Sequence, residues 1–265
     1  FKQKTAYEIR LSLVGSEMCI RDSDILENTS KMGINSVFFS MDMYGPLVYM
    51  KQLQRVSGLD SRTLHKLFKT DPTKAAEYVK QVEQNYKNVR FSLKSGHTVQ
   101  DMREMITAHQ EQTGEKINLV LIDYLECISG PYSDATANTS KIAGELKDFA
   151  IEMNTCVICL VQPPKSAGDP SSPLVSMRQI KGASMLEQSF RVVLGIYREG
   201  FNPKTPENDR YLTIVGLKNT MGPLFSVDCS WNGVRGMIGD LEEEDHTALE
   251  ELRKAKTQQN SSEWT

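Results

Sequence analysis

The chain has little of several things that would declare a function outright. None of its apolar runs approaches the about 20 residues that cross a bilayer as a helix, so no segment reads as a membrane span. Charge of one sign is missing too: 31 Lys+Arg against 34 Asp+Glu leave a formal −3 over 265 residues. That excludes a globally basic nucleic-acid binder and leaves only a local patch or an assembled ring for such contacts. With 17 glycines and 10 prolines it is no collagen, and with 39% hydrophobic residues it is no wholly disordered chain. The five cysteines are Cys19, Cys127, Cys156, Cys159 and Cys229. Only Cys156-Val-Ile-Cys159 has a suggestive spacing, inside an apolar run that reads as a buried strand. Residues three apart on a strand point to opposite faces, so these thiols do not share a metal or a disulfide. His65, His97, His109 and His246 supply no second ligand pair at zinc spacing. Structural thiols are expected, and with them a reducing, cytoplasmic setting.

What is present suits one α/β domain, large enough to bury about three-quarters of its unfolded surface without a staple. The first residue is Phe1, and residues 1–23 show neither helical nor strand period nor the n- and h-regions of a signal peptide. They resemble a translated sequencing-adapter peptide and are given no part in the fold. Residues 242–265, from an acidic, helix-capable start to Gln258-Gln-Asn-Ser-Ser-Glu263, read as a solvated polar tail.

Between these ends strands and helices alternate. Strands are expected at Asn35–Phe39, Val89–Leu93, Ile117–Asp123, Thr155–Val161, Arg191–Tyr197 and Tyr211–Leu217. A last strand, Leu224–Cys229, pairs antiparallel with its predecessor through the short turn Asn219–Pro223. Helices are expected at Asp24–Met32, Leu47–Val56, Thr73–Tyr86, Thr98–Gln112 and Ser140–Met153, with Asp60 and Asp71 as caps. Near-continuous Val/Ile/Leu strands separated by helices predict a mainly parallel central sheet flanked by helices. Met41, Met43 and Met50 read as core filler, and Trp231 as a packed hairpin residue.

Open α/β sheets bind ligands beyond the carboxyl ends of their strands. Asp42, Asp123, Gln162 and Lys218 stand at such ends. Asp123, after Leu-Val-Leu-Ile, suits a hydrated Mg²⁺ beside nucleotide phosphates; the alternative is a cap on the next helix.

The segments Phe39-Ser-Met-Asp-Met43, Leu121-Ile-Asp-Tyr-Leu125, Val157-Ile-Cys-Leu-Val-Gln162, Ile180-Lys-Gly-Ala-Ser184 and Gly216-Leu-Lys-Asn219 come in the order seen in the RecA-like motor domain of DnaB-type replicative helicases. The resemblance covers roughly Asp24 to Leu241. It implies a RecA-like fold, ATP and Mg²⁺ as nucleotide and metal, a homo-hexamer around single-stranded DNA, and a primase and a helicase loader as further partners. Asp42 takes the place of a water-polarising glutamate, and Asp123 that of the Walker B carboxylate holding Mg²⁺ through water. Gln162 becomes the γ-phosphate sensor. Arg178 to Ser184 becomes a central-channel loop, with Arg178, Lys181, Gly182 and Ser184 on the DNA backbone and Lys165 nearby in the same channel or as a plain loop cation. Lys218 reaches a neighbouring subunit's γ-phosphate.

Three departures accompany the match. No G-x-x-x-x-G-K-[ST] occurs anywhere in the chain, although the family carries it just before the helix beginning near Asp24. Asp42 is a methylene shorter than glutamate. The family's arginine two residues after the lysine is Thr220 here, leaving Arg198, also counted among the nucleotide-binding residues, or Arg210 as substitutes. Two other readings stand beside the motor: a catalytically silent DnaB-like ring or DNA-binding protein, and a recombinase or KaiC-type RecA ATPase.

Overall fold

The computed structural model describes residues 10–14, 18–131, 133–161, 183–199 and 210–262. Nine strands form one sheet: β1 (Arg10–Val14), β2 (Ser36–Ser40), β3 (Val89–Ser92), β4 (Leu119–Asp123), β5 (Cys156–Val161), β6 (Val192–Glu199), β7 (Tyr211–Asn219), β8 (Ser226–Asn232) and β9 (Met237–Gly239). Their order is β3-β2-β4-β5-β1-β6-β7-β8-β9. The first six in that order run parallel. From β6 to β9 each pair is antiparallel, so the expected hairpin finish is one part of a larger antiparallel extension.

Eight helices accompany them among the described residues: α1 (Met18–Lys31), α2 (Gly45–Ser57), α3 (Ser61–Thr70), α4 (Pro72–Asn85), α5 (Val99–Thr113), α6 (Ala135–Glu152), α7 (Ala183–Ser189) and α8 (Glu243–Ser262). Local chemistry sets their ends. Asp60 accepts from the Thr63 amide at 2.9 Å, and Asp71 from the Lys74 amide at 3.0 Å; both are the N-caps the sequence predicts. Thr98 and Asp101 close a capping box on α5. Gly33, at φ 77°, turns the chain out of α1 in a conformation that costs glycine little.

Strand alternation splits the core into two layers. Val37 and Phe39 of β2, Val120 and Ile122 of β4, and Val157, Cys159 and Val161 of β5 face α5 and α6, meeting Met102, Ile106, Leu146 and Phe149. Phe38, Leu119, Leu121, Ile158 and Leu160 face the other way, with Leu26, Leu53, Leu64 and Val82 of α1 to α4. Cys159 thus lies in one layer while Cys156 packs against the other, as the strand period requires. The described cysteines, Cys127, Cys156, Cys159 and Cys229, are free thiols. Met41 and Met43 are buried, and Met50 packs against the core.

Two ends of the chain behave differently from the sequence expectation. Residues 1–23 are expected to stay out of the fold, yet Arg10–Val14 pairs in parallel with both β5 and β6 in the middle of the sheet. Without a strand there, β5 and β6 would each present a row of unpaired main-chain groups to the interior, a cost no folded sheet carries. Nor is the segment after Glu242 simply solvated. Leu249 of α8 is 1% exposed, the Tyr211 hydroxyl donates to Asp245 at 3.0 Å, and Arg253 grips Asp228 with two bonds of 2.9 and 2.7 Å.

Candidate nucleotide site

The carboxyl ends of β2 and β4 lie side by side, with Ser40 opposite Asp123. The Met41 amide donates to the Asp123 carbonyl at 3.0 Å, carrying the pairing one residue past the strand and fixing where Asp42 leaves it. Asp123 is 1% exposed; Asp42 is exposed. Burial, and after it the Asp42 charge, lifts the Asp123 carboxyl to about 6, with Lys51 of α2 opposing both. The Ser40 hydroxyl beside it is buried without a hydrogen-bond partner.

A buried carboxylate resisting ionisation, next to a second carboxylate and an unpartnered hydroxyl, is chemistry that a divalent cation would relieve. Among the described residues no group of three or more His, Cys, Asp or Glu could ligate a metal directly. An ion held by these two carboxylates would keep most of its water, the habit of Mg²⁺ rather than Zn²⁺ or Ca²⁺. The helix-cap alternative for Asp123 does not hold. Tyr124 precedes the 3-10 turn Leu125–Cys127 without any side-chain cap, and α6 is capped by Asp134.

The phosphate side of the site fits less well. Only residues 15–17, Gly-Ser-Glu, join β1 to α1, where a phosphate-cradling loop of the Walker A kind needs about eight. Gln162, Lys165, Arg178, Lys181 and Gly182 lie outside the described residues. Ser184 falls in the first turn of α7.

Lys218 is not brought to the carboxylates. The sequence groups it with them as a strand-end residue, but β7 is antiparallel to β6, with Lys218 opposite Val193, so its carboxyl end lies at the other end of the sheet. There the Lys218 ammonium donates to the Phe190 carbonyl at 2.7 Å and also to that of Glu187, capping the C-terminus of α7. Its pKa falls below the ordinary lysine value, first through burial and then through repulsion by Arg191, with Glu187 opposing.

Arg198 sits near the carboxyl end of β6, opposite Leu212. Its guanidinium carbon lies 5.8 Å from the centre of the Trp231 ring, a cation–π contact. Trp231 is 6% exposed, a packed hairpin residue as expected, and its indole N–H is buried without a partner. A cleft of about 720 Å³ opens there, lined by Arg210, Trp231, Gly233, Arg235 and Asp245 among others. Ser40, Lys51 and this cleft are features the sequence does not single out. Ser40 carries the one available signal, a polar residue closing an apolar strand two positions before Asp42.

The family model for the DnaB-like helicase C terminal domain matches residues 17–236. The chain belongs to that family. The DnaB-like chain is 27% identical over 139 residues to the replicative DNA helicase DnaC of Bacillus subtilis, covering 51% of this chain and 30% of the relative. With the replicative DNA helicase DnaB of Haemophilus influenzae it shares 23% over 211 residues, 78% of this chain and 45% of the relative. It thus spans under half the length of these relatives. Among solved structures, an isolated ATPase domain superposes with a TM-score of 0.80 at 16% identity, covering 90% of this chain and 86% of that one. A DnaB-like replicative helicase studied with primase gives 0.77 at 18%, covering 90% and 60%. The shared fold is the RecA-like one that the resemblance implies. Among the described residues no helix is long and apolar enough to cross a membrane.

Proposed function

We propose that this chain is the motor domain of an ATP-dependent replicative DNA helicase that moves along single-stranded DNA as a homo-hexamer in the cytoplasm. The observation that carries the reading is the Asp42–Asp123 pair at adjoining parallel strand ends, in a chain whose family is that of DnaB-like helicases. Asp123 would hold Mg²⁺ through water. The ion would supply charge neutralisation at the phosphates of ATP.

This chain's own groups divide the remaining work. Asp42 orients a water and takes its proton, while Gln162 senses the γ-phosphate. Arg198, braced on Trp231, flanks the nucleotide from the antiparallel side. Lys218, at the far end of the sheet, serves a neighbouring subunit's site rather than its own. Arg178, Lys181, Gly182 and Ser184, with Lys165, contact the DNA backbone, and primase and a loader are partners of the ring.

The 265 residues as they stand do not turn over ATP, because no G-x-x-x-x-G-K-[ST] is present to cradle the phosphates. An ATPase assay on purified Phe1–Thr265, with and without single-stranded DNA, tests this; DNA-stimulated turnover abolished by Asp123→Asn would overturn it. The shorter Asp42 and the threonine at 220 favour a second reading, a silent relative that keeps the ring and the DNA surface. DNA-stimulated hydrolysis by the full-length gene product excludes it.

A further inference from the structure

α3 carries charge of one sign only. Its sequence, Ser-Arg-Thr-Leu-His-Lys-Leu-Phe-Lys-Thr, holds no carboxylate. Arg62, Lys66 and Lys69 fall within about 60° of the helix circumference, opposite Leu64, which is 0% exposed. All three cations are exposed, and among the described residues none has an ion pair. The nearest acids in the chain, Asp60 and Asp71, stand at the two ends and accept amide hydrogen bonds as caps. The neighbouring α4 differs, with Lys74, Glu77, Lys80 and Glu83 alternating in sign along it. Like charges three and four residues apart on one helix face repel, so the α3 stripe costs stability unless a polyanion meets it.

The stripe is also remote from the residues assigned to the channel. Leu64 packs in the layer that holds Leu26, Leu53 and Val82. Leu186 of α7, the helix that follows Arg178 to Gly182 in the chain, packs in the layer on the other face of the sheet. The sheet stands between α3 and α7, so a strand lying on α3 makes a separate contact. Phe68, about 100° round the helix from Lys69, keeps 40% of its surface exposed. A ring beside cations is what an unpaired base stacks on, whereas a duplex hides its base faces. From Arg62 to Lys69 the helix rises about 10 Å, the rise of about three nucleotides along one strand.

We propose that the outer face of α3 is a second contact for single-stranded DNA, distinct from the channel segment. Arg62, Lys66 and Lys69 take successive phosphates of the strand, and Phe68 stacks on an unpaired base. The contact is independent of sequence, because phosphates and base faces are common to every nucleotide. It goes beyond the motor reading above and requires no ATP turnover.

The test measures binding of a long fluorescent oligo(dT), and of a blunt duplex, to the full-length gene product by anisotropy over a range of salt. The triple variant Arg62→Gln, Lys66→Gln, Lys69→Gln keeps good helix formers at exposed positions, so its circular dichroism should match the parent. It should bind oligo(dT) about tenfold or more weakly, with the slope of log affinity against log salt reduced by about 2 per subunit engaged. Phe68→Leu should weaken oligo(dT) binding about fivefold or more at an unchanged slope, and leave duplex binding alone. Combined with Lys181→Ala, the triple variant's loss should add in log affinity, as separate sites require. An unchanged slope in the triple variant overturns the proposal and leaves the stripe to an acidic protein surface. Equal losses on oligo(dT) and duplex with Phe68→Leu silent overturn the single-strand assignment, and a parent that binds no oligo(dT) overturns it outright.

Discussion

The amide of Met41 donates to the carbonyl of Asp123 at 3.0 Å, and that bond carries the β2–β4 pairing one residue past Ser40, between the buried Asp123 and the exposed Asp42. The bond is main chain to main chain, so it survives any change of side chain at 42 or 123. The pair can therefore be probed by substitution without dismantling the sheet. What substitution alters is the electrostatics of a carboxylate that the fold itself buries.

Asp123 makes a pH prediction with a definite sign. Its carboxyl titrates near 6 in the folded chain, against an ordinary 3.8. Between those values the folded state holds a proton that the unfolded state has lost, so stability falls as pH rises through this window and stays lower above it. The difference corresponds to about 3 kcal/mol. Asp123→Asn removes the ionising group, so its Tm at pH 7.5 should exceed that of the parent by about 5 °C or more, with the gap closing below pH 4. Thermal scans across pH decide it, and equal Tm values at pH 7.5 would refute burial as the dominant influence on Asp123.

Arg55 should be the most costly surface-to-core tie to cut. It is 3% exposed, pairs with both Asp24 and Glu27 of α1, and donates to the Gly236 carbonyl at 2.9 Å. Burial pushes the Glu27 carboxyl up, yet hydrogen bonds from Lys31 and Arg55 bring it below its usual range. Asn85 adds a further bond to it at 2.7 Å. Arg55→Ala leaves Glu27 buried with less compensation, so urea unfolding should show a loss of about 3–5 kcal/mol. A second change, Glu27→Gln, should return part of that loss. No recovery in the double variant would mean that lost packing rather than stranded charge sets the cost.

The sequence makes these two predictions possible to different degrees. Val-Leu-Ile-Asp123 is legible because a strand buried on both faces needs apolar residues at every position, and a terminal aspartate then stands out. Asp60, Asp71 and the alternation through β2, β4 and β5 are legible for the same local reason. Arg10-Leu-Ser-Leu-Val14 is not, since its place depends on β5 and β6, about 150 residues or more away, leaving a gap of one strand. Lys218 misleads because position at a strand's end is local, while the strand's direction in the sheet is not. The Arg55 network, joining residues 24, 27, 55 and 236, has no sequence period at all.

Lys181 should carry a measurable share of DNA binding. A single cation on a single strand contributes a slope of about −0.7 in log affinity against log salt. Lys181→Ala in the full-length gene product should weaken single-stranded DNA binding across sequences and reduce that slope by about this amount per subunit engaged. Fluorescence anisotropy at several salt concentrations measures both. Weaker binding with an unchanged slope would move Lys181 off the phosphate backbone.

Whether α8 is a docked helix or a solvated tail is decided by Leu249. A solvated tail tolerates Leu249→Ala at no cost, since surface changes of this kind stay within about 0.5 kcal/mol. A leucine 1% exposed instead loses about 2–5 kcal/mol on truncation to alanine. The polar contacts cannot substitute for it. Asp228 and Arg253 keep 26% and 40% of their side-chain surface, so water screens their pair, and Arg253→Ala should cost about 1 kcal/mol or less. The expected order is therefore Leu249→Ala well above Arg253→Ala in chemical denaturation. The reverse order would make the ion pair, rather than the buried leucine, the anchor of α8 on the β7–β8 strands.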